Sequence, residues 1–227
     1  DIHKDFIRAG AEVIVTTTFT VRRIRLRENG LEDQFENLNI KAGEIAQSVK
    51  KDFPKILVAG GLPPQYLTYE ADTRPVEEIY NNYNEQAKIL NPYIDFFYLD
   101  VLSSVKEIEI AINAISQFNK PYLIGAHISE GNTLPSGEKV TDIIEKIEHK
   151  KILGLILACI SPENYELNMP ELKNLGIPFG FKLNGFLTTK PIFGYTESYK
   201  KSKSGNPNEF LGQRKDLTPE KIKEFAK

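Results

Sequence analysis

The chain has 227 residues, 41% hydrophobic and 26% charged, with a formal charge of −2, so it has the composition of a globular protein and no strong field to draw nucleic acid or an anionic membrane. Its single cysteine, Cys159, excludes an intrachain disulfide framework and fits a reducing, cytoplasmic setting. No apolar stretch is long enough to span a bilayer, and none reads as a signal peptide.

The opening segment, DIHKDFIRAGAEVIV, reads as the middle of a helix, with Ile2, Phe6 and Ile7 on one face. Short apolar runs then recur at 11–19, 55–64, 95–104, 120–129, 153–162 and 177–186. Their β-branched and aromatic content predicts buried parallel strands. Amphipathic stretches lie between them. Leu38, Ala42, Ile45 and Val49 share a predicted helical face, as do Val76, Ile79, Tyr80, Tyr83 and Ala87. Val105, Ile108, Ile112 and Ile115 form a third stripe, and Val140, Ile143, Ile144 and Ile147 a fourth. The lysine-rich stretch 195–216 reads as a long surface loop. The last segment, LTPEKIKEFAK, opens a helix, with Thr218 as N-cap and Pro219 in the first position. A helix at each end makes the chain read as a fragment cut at both ends.

Alternating strand and helix predicts an α/β fold with a parallel sheet. The expectation is one domain over 1–227, a (β/α)8 TIM barrel lacking its first and last strands. An open doubly wound sheet is the alternative. Against it, AGGLPP places prolines where a phosphate-binding helix should start.

Active sites in parallel barrels form at the C-terminal strand ends. Those ends carry Thr18, Asp100, His127 and Ser129, Cys159, and Lys182 with Asn184. Cys159 reads either as a small buried hydrophobe or as a thiolate ligand for a soft metal such as zinc. Asp100, among apolar neighbours, is either a structural acid or an anchor for a substrate ammonium group. Lys182 could form a Schiff base, or point outward and snorkel between helices, and the outward reading is preferred. His127 is a general base or a packed histidine, and Glu130 a solvated loop charge.

These strand ends resemble the homocysteine S-methyltransferase family of zinc-dependent barrels. DFIRAGAEVIVTTTF is similar to the family's Y-I-x-A-G-A-D-I-I-x-T-N-T-F, and VAGGLPP to V-A-G-S-L-P-P. LDVLSSVKEIEIAI is similar to x-E-T-x-x-S-x-x-E-A, GNTLPSGE to x-x-x-L-x-S-G-E, and LILACISPE to I-G-x-N-C-x-x-P. The resemblance implies a small-molecule thiol and a methyl donor as partners, with methionine as product. It implies Cys159 as one zinc ligand, and the other two in a C-terminal Gly-Gly-Cys-Cys motif beyond this chain. It further implies Thr18, Asp100, Ser129 and Asn184 as substrate-binding residues. Asp100 stands where the family has Glu, Ala158 where Asn precedes the cysteine, and Thr17 where T-N-T-F has Asn. These departures bear on substrate identity more than on fold. A metal-free relative binding a small amino acid, and a Schiff-base lyase using Lys182, are the alternative functions. The motifs specify neither the donor nor the oligomeric state.

Overall fold

The computed structural model describes residues 2–147, 151–189 and 211–227. Helix α1 (Ile2–Arg8) leads into β1 (Val13–Val15). Next come α2 (Arg23–Glu28), α3 (Phe35–Asp52), β2 (Leu57–Leu62), α4 (Val76–Leu90), β3 (Phe96–Leu102), α5 (Val105–Ser116) and β4 (Tyr122–Ala126). Then follow α6 (Val140–Lys146), β5 (Ile152–Ile160), α7 (Pro162–Lys173), β6 (Phe179–Leu183) and, nearest the C-terminus, α8 (Pro219–Phe225). Each predicted apolar run coincides with one of these strands, β5 beginning one residue before its run, at Ile152.

The six strands form one parallel sheet in the order β1-β2-β3-β4-β5-β6. Every strand lies beside the next in sequence, without the reversal of strand order that defines a doubly wound sheet. This is the topology of a barrel arc, and it removes the open-sheet alternative. Residues alternate across the sheet. On β3, Phe97 and Leu99 join the large core between sheet and helices, whereas Phe96 and Tyr98 face the concave side with Ala59.

Helix ends follow the local chemistry. Ser104 caps α5 by accepting the Glu107 N–H at 3.1 Å, and Ser161 caps α7, whose first turn begins with Pro162. Thr218 caps α8 as read from the sequence.

The helical stripes needed correction. In α3 the buried face is Phe35, Asn39, Ala42, Gly43, Ala46 and Val49; Ile45 is exposed and Leu38 only half-buried. Small residues let α3 approach Tyr93 closely, and Asn39 is buried because its amide is satisfied by Phe35 O at 2.8 Å and by Gln86 Nε2 at 3.0 Å. In α4, Val76 is exposed and Gln86 takes a core position. Ile2 and Phe6 of α1 are exposed, with Ile7 packed on the core.

Most of the predicted 195–216 loop lies outside the described residues. Its end is not a free surface loop: Leu211 is buried, Gln213 bridges to Phe186, and Arg214 pairs with Glu163 of α7.

Candidate active site at the strand ends

Two strands carry an irregularity at the same level. On β3 the pairing with β4 shifts between Leu99 and Leu102, and Val101 has φ +64°. On β5 the pairing with β6 shifts between Ala158 and Ile160, and Cys159 has φ +60°. Each is a β-bulge, one extra residue inserted in the strand. Strict alternation would send Cys159 outward with Leu155 and Leu157. Instead Ile160 takes the outward place, and Cys159 stays with Ala158 in an apolar cluster at the barrel mouth. On β3 Leu102 likewise takes the outward place, leaving Val101 in the same cluster. Tyr69 and Leu211 complete its buried members, and Phe19 and Phe186 pack against it. A β-branched residue at positive φ costs on the order of 1–3 kcal/mol, and such strain collects at functional sites.

Cys159 Sγ is 2.9 Å from Tyr69 Oη. Burial pushes the thiol up, while the Tyr69 hydrogen bond and the Lys182 charge pull it down, with a net upward shift. Asn184 donates from Nδ2 to the Cys159 carbonyl and accepts the Phe186 N–H at 2.9 Å, which holds the end of β6 against the bulge.

Lys182 overturns the expectation of an outward lysine. Its Nζ reaches both Asp100 carboxylate oxygens, at 2.8 and 2.7 Å. It also lies 5.8 Å from the Phe19 and Tyr98 ring centres. Gly180 and Lys182 alternate with Phe181, and it is Phe181 that packs outward on Tyr165 and Phe225.

His127 is a packed histidine. It is fully buried, stacks on Tyr69 at 4.5 Å, and sits 3.0 Å from Ala158 O through Nδ1. A carbonyl only accepts, so Nδ1 carries the hydrogen and Nε2 accepts from Ser129 Oγ at 2.8 Å. Burial pushes the imidazole down to about 4. Thr18 is fully buried and donates to Gly61 O at 2.6 Å, joining the ends of β1 and β2. Glu130 is exposed.

Of the sequence-derived candidates, Asp100, Lys182, Cys159 and Asn184 meet at the mouth. Ser129 reaches it through His127, and Thr18 is turned into the sheet. Tyr69, Val101, Phe186 and Leu211 were not read from the sequence. Val101 carried no local signal, because a valine inside an apolar run reads as ordinary strand.

No cluster of three His, Cys, Asp or Glu side chains that could hold a metal occurs among the described residues. Cys159 supplies one donor where a zinc site takes four. The described residues therefore do not complete a zinc site by themselves, although a thiol on a bulge at the mouth is a suitable single ligand.

A family model described as homocysteine S-methyltransferase matches residues 1–227. Betaine–homocysteine S-methyltransferase 1 of Mus musculus is 25% identical over 205 residues, covering 86% of this chain and 48% of the relative. The corresponding protein of Pongo abelii is 29% identical over 210 residues, covering 88% of this chain and 49% of the relative. The chain thus spans less than half the length of these relatives. The homocysteine methyltransferase MmuM from Escherichia coli, solved in a metallated form, superposes with a TM-score of 0.68 at 18% identity, over 80% of this chain and 78% of that one. The barrel arc, the bulged cysteine at its mouth and a match running from end to end converge: the chain belongs to the homocysteine S-methyltransferase family.

Proposed function

We propose that this chain forms the acceptor-binding part of an S-methyltransferase that moves a methyl group from a small donor to the thiol of homocysteine, or a similar thiol, giving methionine. The observation that carries the reading is Cys159, turned by a bulge at φ +60° into the mouth of a barrel whose family transfers methyl groups to homocysteine sulfur. In this reading Cys159 is one ligand of a zinc ion, and the remaining ligands come from outside the described residues.

The chain's own contributions are positional. The apolar cluster of Tyr69, Val101, Ala158 and Leu211 excludes water from the reacting sulfur. Asn184 fixes the Cys159 backbone and so the direction of the thiol. Tyr69 holds Sγ through a hydrogen bond that deprotonation would strengthen, because a phenol can donate to a thiolate.

The test is metal analysis and methyl transfer in the full-length protein. The wild type is expected to retain about one zinc per chain and to methylate homocysteine from S-methylmethionine or betaine. Cys159→Ala is expected to lose the zinc and at least about a hundredfold in rate. Undiminished zinc in that variant would sink the assignment of Cys159.

A further inference from the structure

The Asp100–Lys182 pair is the feature of the mouth that methyl transfer, as described above, leaves unused. The two partners differ in mobility and exposure. Asp100 is buried on a bulged strand, with 8% of its side chain exposed, whereas Lys182 is 45% exposed on a flexible stem. The anion is fixed and the cation can swing. Among the described residues, Lys182 is the ion-pair partner of Asp100. The Tyr98 hydroxyl is buried in the same recess; burial first, and then the Asp100 carboxylate beside it, push it well above the ordinary phenol range.

We propose that Asp100 and Lys182 form a clasp for a zwitterionic amino acid, and that Lys182 determines specificity by taking the substrate carboxylate. The proposal rests on the acceptor-binding reading and names the class of acceptor. On binding, the substrate ammonium replaces Lys182 at Asp100, and Lys182 turns to the substrate carboxylate. Both pairs remain matched and the recess stays neutral. The Tyr98 hydroxyl offers one further donor. A ligand with only an ammonium displaces Lys182 and leaves two cations side by side. A ligand with only a carboxylate draws Lys182 off and strands Asp100 in a buried position, which is costly. Discrimination therefore arises from the charge left unmatched, the strongest basis for rejecting an analogue that lacks a group.

The experiment is equilibrium binding to the full-length protein with two ligand pairs. One pair is L-homocysteine and 3-aminopropane-1-thiol. The other is L-methionine and 3-(methylthio)propylamine, which lacks the free thiol. In the wild type each amino acid is expected to bind about tenfold or more tighter than its decarboxylated partner. Lys182→Met is expected to bring both ratios to within about threefold of unity, and Lys182→Arg to keep them. The double variant Asp100→Asn/Lys182→Met buries no unpaired charge, and it too should lose the preference. Ratios unchanged in both methionine variants would overturn the clasp. Thiols that bind and are methylated regardless of their carboxylate would overturn it while leaving the methyltransferase reading standing. Lys182-dependent selection of methionine without any binding of the free thiols would support the clasp and reject the thiol acceptor.

Discussion

Glu107 lies in the first turn of α5 with its carboxyl fully buried. Tyr83 Oη donates to it at 2.8 Å and the Ser103 N–H at 3.4 Å. Burial outweighs these bonds and pushes the carboxyl up to about 7. An acid whose folded value stands above its unfolded one contributes stability fully below the unfolded value, near 4.5, and loses it as the pH rises through about 7. His127 works in the opposite direction: its value falls to about 4, so its contribution is present above 6.5 and lost as the pH falls toward 4. Glu107→Gln can still accept from Ser103 N–H and donate to Tyr83 Oη. Relative to the wild type, its stability should rise steadily from about pH 5 to about pH 8. Urea midpoints across that range check this, and a constant offset would mean that the Glu107 proton is not the cause. Tyr83 was visible as a stripe member, but the Ser104 cap was not read and the burial of Glu107 was not legible, since a glutamate three residues after a serine also fits an exposed capping box.

At the scale of elements, α3 shows why apolar periodicity misplaced a helix face. Counting large hydrophobes selects Leu38 and Ile45, yet the sheet accepts the face with Gly43 and Ala46, because close approach matters more there than side-chain volume. A Cβ on Gly43 would stand 2.5 Å from Tyr93 Cγ. Gly43→Ala should therefore destabilise by about 1–3 kcal/mol through overpacking, although alanine favours helix by about 1 kcal/mol elsewhere. Chemical denaturation of the variant checks the sign, and a stabilised protein would show that Tyr93 can move aside. The bulges of β3 and β5 belong to this scale as well. They bring Val101 and Cys159 onto one surface from strands separated by β4. The strand-end rule named Cys159 as a candidate because it needs only an apolar run and its terminus. It could not say that the thiol faces the mouth.

For the molecule as a whole, the six-stranded arc ends in β1 and β6, each with one strand neighbour among the described residues. Val13, Val15 and Leu57 are exposed and lie opposite the outward Ile14 and Val58, on the concave face. Open parallel edges beside exposed apolar residues are templates for pairing. These 227 residues, purified alone, should therefore self-associate at concentrations on the order of micromolar in sedimentation velocity. A monomer that unfolds cooperatively would contradict this.

The sequence by itself determined the alternation of strands and helices, their parallel sense, the cap at Thr218, and the short set of polar strand ends that includes Asp100, Cys159, Lys182 and Asn184. Those properties are local: each depends on period, turn chemistry or the end of an apolar run. Tertiary structure decided which way the ends point and whom they meet. It placed Lys182 on Asp100 across the two strands between them, turned Thr18 into a staple, packed His127 beneath Tyr69 at the mouth and brought Tyr69 onto the thiol. The physical reason is that direction in a strand has a period of two, and a single inserted residue reverses it. No side-chain pattern in an apolar run marks where that insertion falls; the packing of neighbouring strands does.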